Sequence, residues 1–159
     1  MKRLSILALC MAFLLSFASC GKEKNEIFSL SPFSGEVSVT GENVDYLLDL
    51  SFEGSDKMAV MVKKPDGIRG VTYTKTGEKI VYSKGDTVAE TEFLSGSEKE
   101  NAVAVLFCIL DEMSKKKYTF AAGENTSEDT CALGSFAFEK GENGKLLRIA
   151  FGKFKFKFS

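Results

Sequence analysis

The side chains able to do chemistry are few, and their spacing argues against catalysis. The chain has 159 residues and no His. It therefore has no Ser-His-Asp or Cys-His pair, no His-ligated zinc or haem, and no imidazole titrating near neutral pH. Carboxylates stand close together at Glu90/Glu92 and at Asp111/Glu112, the residue type that does general acid–base work. Glu90 and Glu92, two apart in an alternating stretch, share one strand face with no Asn or aromatic platform near them in sequence, and both pairs read as solvated charge. The run Glu124-Asn125-Thr126-Ser127-Glu128-Asp129 is acidic enough to attract Ca²⁺. It lacks the Asp-x-Asp-x-Asp-Gly spacing that wraps the ion, and reads as a polar hairpin connection. No enzyme activity, cofactor or metal is expected. With 21 basic against 22 acidic residues and no basic block, nucleic acid is not an expected partner either.

Cysteine is the one reactive type left, and the four thiols divide by position. Met1-Lys2-Arg3 followed by an apolar run from Leu4 to Phe17 has the form of a signal peptide and is too short for a membrane span. It ends in Phe17-Ala18-Ser19-Cys20, which resembles the bacterial lipobox. That resemblance implies that Cys20 is diacylated and becomes the mature N-terminus, and two acyl chains give durable anchoring. The expected organisation is a leader over 1–19, lipidated Cys20 with a short tether over 20–26, and one domain over 27–159. The expected location is a bacterial membrane, lipid-anchored and facing away from the cytoplasm. Extended, the tether reaches roughly 20 Å. Loss of Lys2 and Arg3 makes the mature chain more negative than the full-length value of −1, so charge alone does not draw it onto anionic lipid. Cys10 leaves with the leader, and Cys108 and Cys131 remain in the domain. A disulfide between them is allowed outside the cytoplasm, and so is a free Cys108 buried in Leu106-Phe107-Cys108-Ile109-Leu110. Two Cys without His fall short of a structural zinc site. A monomer is expected.

The elements that would position any site are mostly strands. Between Asn43 and Glu53, Val44, Tyr46, Leu48, Leu50 and Phe52 alternate with polar residues, the pattern of a half-buried strand. Val37 and Val39 mark a strand before it. Met58-x-Val60-x-Val62, Val71-x-Tyr73, Ile80-x-Tyr82 and 87–94 mark strands after it, separated by Gly-rich and Pro-Asp-Gly turns. Ser97-x-x-Glu100 reads as a capping box opening a helix over 99–114. That helix carries two apolar stripes, Ala102/Val105/Leu106/Ile109/Met113 and Val103/Phe107/Leu110, and so needs cover on most sides. Alternation resumes through Tyr118-x-Phe120, Phe136-x-Phe138, Leu147-x-Ile149-x-Phe151 and Phe154-x-Phe156-x-Phe158, with an Asn143-Gly144 hairpin turn between the middle two. Lys153, Lys155 and Lys157 oppose the last three Phe residues, so a one-residue slip would bury three charges. The fold class is mainly β (α+β): an antiparallel half-barrel or strongly curved sheet of about 9–10 strands, with one central apolar helix after the sixth.

This order of elements behind a leader resembles the LolA/LolB-like carrier family. Lys63-Lys64-Pro65-Asp66-Gly67-Ile68-Arg69-Gly70 is similar to that family's strand-end Pro followed by Gly, and Gly77-Glu78-Lys79-Ile80-Val81-Tyr82 to its next strand. The resemblance implies an open half-barrel around an apolar cavity, and an exposed loop tip at Ile68 that touches membrane or partner. The chain departs from the family in two ways: Pro32 leaves little room for a long N-terminal helix, and no Arg stands in the first strands. The candidate ligand-binding residues are Leu48, Leu50, Phe52, Met58, Val60 and Val62 on the sheet and Val103, Phe107 and Leu110 on the helix. They would hold an acyl chain, lipid or lipoprotein. The competing expectation is a structural or interaction lipoprotein of the cell envelope whose core is filled by its own side chains, as in small barrels. Replacing the anchor, Cys20→Ser, is expected to move the protein out of the membrane fraction of a bacterial host, as read by fractionation and immunoblotting. Retention there would exclude the lipid anchor.

Overall fold

Alternating apolar side chains build a sheet with one dry face and one wet face. The computed structural model describes residues 25–93 and 98–159. The leader, Cys20, the first part of the tether and Ser97 lie outside them. The strands are β1 (Glu26–Phe28), β2 (Phe33–Gly41), β3 (Val44–Gly54), β4 (Lys57–Lys64), β5 (Thr72–Thr76), β6 (Lys79–Lys84) and β7 (Thr87–Glu92). The helix α1 (Ala102–Ser114) follows, and then β8 (Tyr118–Phe120), β9 (Thr126–Cys131), β10 (Gly134–Lys140), β11 (Leu146–Phe151) and β12 (Phe154–Phe158). Ten strands form one antiparallel sheet in the order β7-β6-β5-β4-β3-β2-β12-β11-β10-β9, and β1 pairs with β8 in a separate two-stranded sheet. The large sheet is thus two meanders joined where β2 meets β12, and it does not close on itself.

The seam between the meanders is fixed on both faces. Val39 stands opposite Phe156 and Val37 opposite Phe158. All four are buried, while Lys155 and Lys157 stay exposed. Gly35 allows the final residue to close in, because a Cβ there would lie 2.7 Å from the Ser159 carbonyl oxygen. The expected Asn143-Gly144 turn joins β10 to β11. Gly144 takes the left-handed φ of 71°, and the Asn143 side chain accepts the Lys145 N–H at 3.1 Å.

Four expectations are corrected. The helix follows the seventh strand, because β1 adds a strand ahead of the meander. It begins at Ala102, with Asn101 as its N-cap: the Asn101 side-chain oxygen accepts the N–H groups of Val103 and Ala104 at 3.0 and 3.2 Å, while 98–100 form a 3-10 turn. One side chain thus satisfies two orphan donors of the first turn. Tyr118–Phe120 leaves the large sheet to pair with β1. The stretch 126–131, expected as a hairpin connection, is the edge strand β9, whose side chains alternate between exposed and half-buried with none fully covered.

Two lysines point into the dry face. Lys75 and Lys140 are each 3% exposed. A buried ammonium needs a counter-charge and hydrogen-bond acceptors. Lys75 Nζ donates to the Ser55 carbonyl at 2.7 Å and to Asp111 Oδ1 at 3.3 Å, and lies 5.0 Å from the centre of the Phe93 ring. Lys140 Nζ donates to Glu26 Oε2 at 2.6 Å and lies 4.9 Å from the centre of the Phe120 ring. The first set ties α1 to β5, and the second ties β1 to β10. Asp111→Ala is expected to cost about 3 kcal/mol in urea unfolding by leaving Lys75 without its counter-charge. Lys75→Met combined with Asp111→Leu should recover most of that loss, and a double variant no better than the single would show that the pairing is not the cause.

Candidate functional site

The nine candidate ligand-binding residues come together in one layer. Across β3 and β4, Leu48 pairs with Val62, Leu50 with Val60 and Phe52 with Met58, so the six form three cross-strand pairs on the inner face. Val103, Phe107 and Leu110 of α1 belong to the same apolar cluster. None of the nine is more than 2% exposed. Both expected helix stripes are buried together: ten of the thirteen α1 residues are covered, and only Asp111, Glu112 and Ser114 stay partly exposed.

The layer reaches the surface at one end of the helix. Val62 and Val103 line a cleft of about 230 Å³ together with Val44, Tyr46, Ile68, Tyr73 and Ala102, with Glu100 and Asn101 also on its wall. Glu100 is ion-paired with Lys153, beside β12. The Tyr73 and Tyr82 rings meet edge-to-face at 5.0 Å. Burial first, with the neighbouring Tyr46 and Tyr82 adding to it, raises the Tyr73 pKa above its ordinary value, so the phenol entering the cleft is neutral. Ile68 is corrected here. It is half-buried and packed on the core, forming part of the cleft wall where an exposed tip was expected. The Gly70 N–H donates to the Val62 carbonyl and the Val62 N–H to the Val71 carbonyl, both at 2.9 Å, and these bonds fold the loop back against β4.

A second opening, absent from the expected sites, lies across β2, β12, β11 and β10. It is a groove of about 500 Å³ lined by Ser38, Thr40, Ala137, Glu139, Arg148, Ala150, Lys155 and Lys157, among others. Its sequence signal is the register: Ala137 faces Ala150 and Ala150 faces Lys155, so two small side chains meet beside three cations.

Three of the four carboxylates considered for catalysis have structural partners. Asp111 bridges Lys75 and Lys115, Glu112 pairs with Lys116, and Glu90 pairs with Lys79. Asp129, from the acidic run, accepts from Lys116 Nζ at 2.8 Å and from the Tyr118 hydroxyl at 2.7 Å. Among the described residues, no group of three or more His, Cys, Asp or Glu side chains is arranged to hold a metal ion. No described helix is long and apolar enough to cross a membrane.

No protein-family model matches the chain, and none of the curated proteins compared with it does. Among solved structures it is similar to a LolA superfamily protein from Nitrosomonas europaea. The two share 8% identity over 87% of this chain and 85% of that one, with a TM-score of 0.38. A likeness at that level assigns neither ligand nor partner. The chain is mainly β: a curved antiparallel sheet, open at both edges, around one apolar helix.

The Asp129 cluster gives a pH test. Burial works against its charge, but the bonds from Lys116, Tyr118 and the Thr130 N–H outweigh it, so the carboxyl titrates below the usual Asp range. A folded pKa below the unfolded one of about 3.9 stabilises the protein fully at neutral pH. That contribution is lost as pH falls below about 4 through the folded value. Asp129→Asn is therefore expected to cost about 1 kcal/mol at pH 7 in urea unfolding, with the gap to wild type closing toward pH 2. A gap that stays constant with pH would contradict the assignment.

Proposed function

We propose that this protein is a non-catalytic binding module, lipid-anchored through Cys20 outside the cytoplasm, that takes an apolar chain between its sheet and α1. The ligand class is an acyl chain, free or carried by a lipid or lipoprotein. The supporting observation is the cleft at the start of α1, where Val62 and Val103 of the buried layer come out beside Ile68. Apolar side chains stand on both its sheet and its helix walls, while polar atoms make up the larger share of its exposed lining, and Glu100, Asn101, Tyr46 and Tyr73 suit orienting a ligand better than reacting with it.

A second reading has its own observation. Burial of all nine candidate residues to 2% exposure or less means that side chains of the protein fill the layer. This favours an envelope interaction protein with a packed core. The two readings separate in solution. Without its leader and with Cys20→Ser, the chain is weighed by native mass spectrometry and titrated with cis-parinaric acid. The binding reading expects co-purified lipid or saturable 1:1 uptake of the fluorescent fatty acid, weakened at least about tenfold by Val103→Trp, which fills the cleft. An empty protein that ignores the probe would leave the packed interaction module.

A further inference from the structure

The binding proposed for the cleft leaves the groove across β2, β12, β11 and β10 unused. The side chains that border it alternate with the buried Val39, Phe156, Ile149 and Phe138, so they stand on the wet face of the sheet, away from α1. They form two rows across the strands. In the first, Thr40 faces Lys155, Lys155 faces Ala150 and Ala150 faces Ala137. In the second, Ser38 faces Lys157, Lys157 faces Arg148 and Arg148 faces Glu139. The short side chains of Ala150 and Ala137 leave a hollow bordered by the longer ones of the second row. Its volume of about 500 Å³ is in the range of small-molecule sites.

Charge is unbalanced at one end of this hollow. Lys157 and Arg148 stand directly opposite one another, a like-charge pairing that destabilises a sheet, and Lys155 lies two residues away on the same face of β12. Arg148 has Glu139 at 3.4 Å. Among the described residues, Lys155 and Lys157 have no ion-pair partner. Carboxylates border the other sides: Glu139 and Glu128 toward β9, the latter facing Ala137, and Asp45 of β3, which faces Thr40. We propose that the groove is a second binding site, for a small organic anion with one carboxylate or phosphate head and a slim apolar body.

The head sits among Lys155, Lys157 and Arg148, where a negative charge relieves the like-charge pairing. The body lies over Ala150 and Ala137, along the two strand spacings from β12 to β10, about 10 Å. Most of the exposed lining there is apolar, and Glu139 and Glu128 repel a second negative charge at the far end. The same carboxylates argue for a small ligand. A polyanion or an anionic bilayer laid on this face meets Asp45, Glu128 and Glu139 together with the lysines, whereas a small anion meets the cations alone. The site uses neither the cleft beside α1 nor the anchor, so it is tested independently of both.

The test titrates the isotope-labelled full chain, carrying Cys20→Ser, with octanoate, octylammonium and inorganic phosphate, and reads backbone amide shifts by NMR. Octanoate is expected to shift the amides of Thr40, Arg148, Ala150, Lys155 and Lys157 saturably. Octylammonium, with the same tail and the opposite charge, should leave them in place, and phosphate, with no tail, should bind at least about tenfold more weakly. Lys155→Gln with Lys157→Gln should weaken octanoate at least about tenfold without lowering Tm, because the like-charge pairing is relieved. Ala150→Trp should block the hollow with every charge in place. If a variant fails to fold, added salt should weaken octanoate at these amides in the parent chain by screening the exposed cations. Octanoate shifts confined to the surroundings of Val62 and Val103 would overturn the groove and leave the cleft standing. An equal response to octylammonium would overturn the role of charge, and equal affinity for phosphate that of the apolar body. Lysine-dependent flotation with phosphatidylglycerol vesicles, with octanoate silent, would overturn the small-ligand site in favour of a membrane contact.

Discussion

A helix with almost no wet side sets the shape of this protein. α1 has ten of thirteen residues buried, and Val105, Leu106, Phe107, Ile109, Leu110 and Met113 are fully covered. At about 1.5–3 kcal/mol for each large apolar side chain removed from water, exposing even one flank would cost several kcal/mol. A flat sheet covers one side of a helix, so the ten strands curl around it. The small β1–β8 sheet joins the same buried cluster, and its Phe28, Tyr118 and Phe120 pack with Phe138 of the large sheet at ring separations of 4.7–6.3 Å. The open edges at β7 and β9 follow from the same constraint, because the helix occupies the space that a closed barrel would need for side chains.

The second requirement is that the two halves of the chain share one sheet. β2 to β7 and β9 to β12 are each local meanders built from tight turns, and only the β2–β12 pairing connects them. Its long-range contacts, such as Val37 with Phe158, carry a large loop-closure entropy. The Phe154, Phe156 and Phe158 side chains, buried opposite three lysines, offset that cost and exclude the slipped register.

Much of this was legible in the residues. Period-two alternation located the strands and their inner faces, and the three β3–β4 pairs are those that Leu48, Leu50, Phe52, Met58, Val60 and Val62 imply. The double stripe on α1 correctly implied cover on most sides. Sheet order was not legible, because adjacency of the first long strand and the last depends on tertiary closure, which local pattern does not encode. β9 was missed because Thr126 to Cys131 carries no apolar alternation. As an edge strand held mainly through its backbone, it needs none. The helix start was misplaced because a capping-box pattern competes with Asn101, whose side chain reaches two amides at once. Lys75 and Lys140 were in plain view: each continues an inward alternation, Tyr73-x-Lys75 and Phe138-x-Lys140, but residue type argued against burial. The cleft, where separate elements meet, has no signature in any one of them.

The ion pair between Glu26 and Lys140 also determines how the domain carries load. Glu26 opens the first strand, β1, and its carboxylate is bonded to a lysine sealed within the sheet. A pull on the chain ahead of Asn25 is borne first by the Lys140 bond, the one described ion pair from β1 into β10, and by the three residue pairs of β1 with β8. Those few contacts would yield first, acting as a mechanical fuse that lets the leading segment peel away while the layer around α1 keeps its shape.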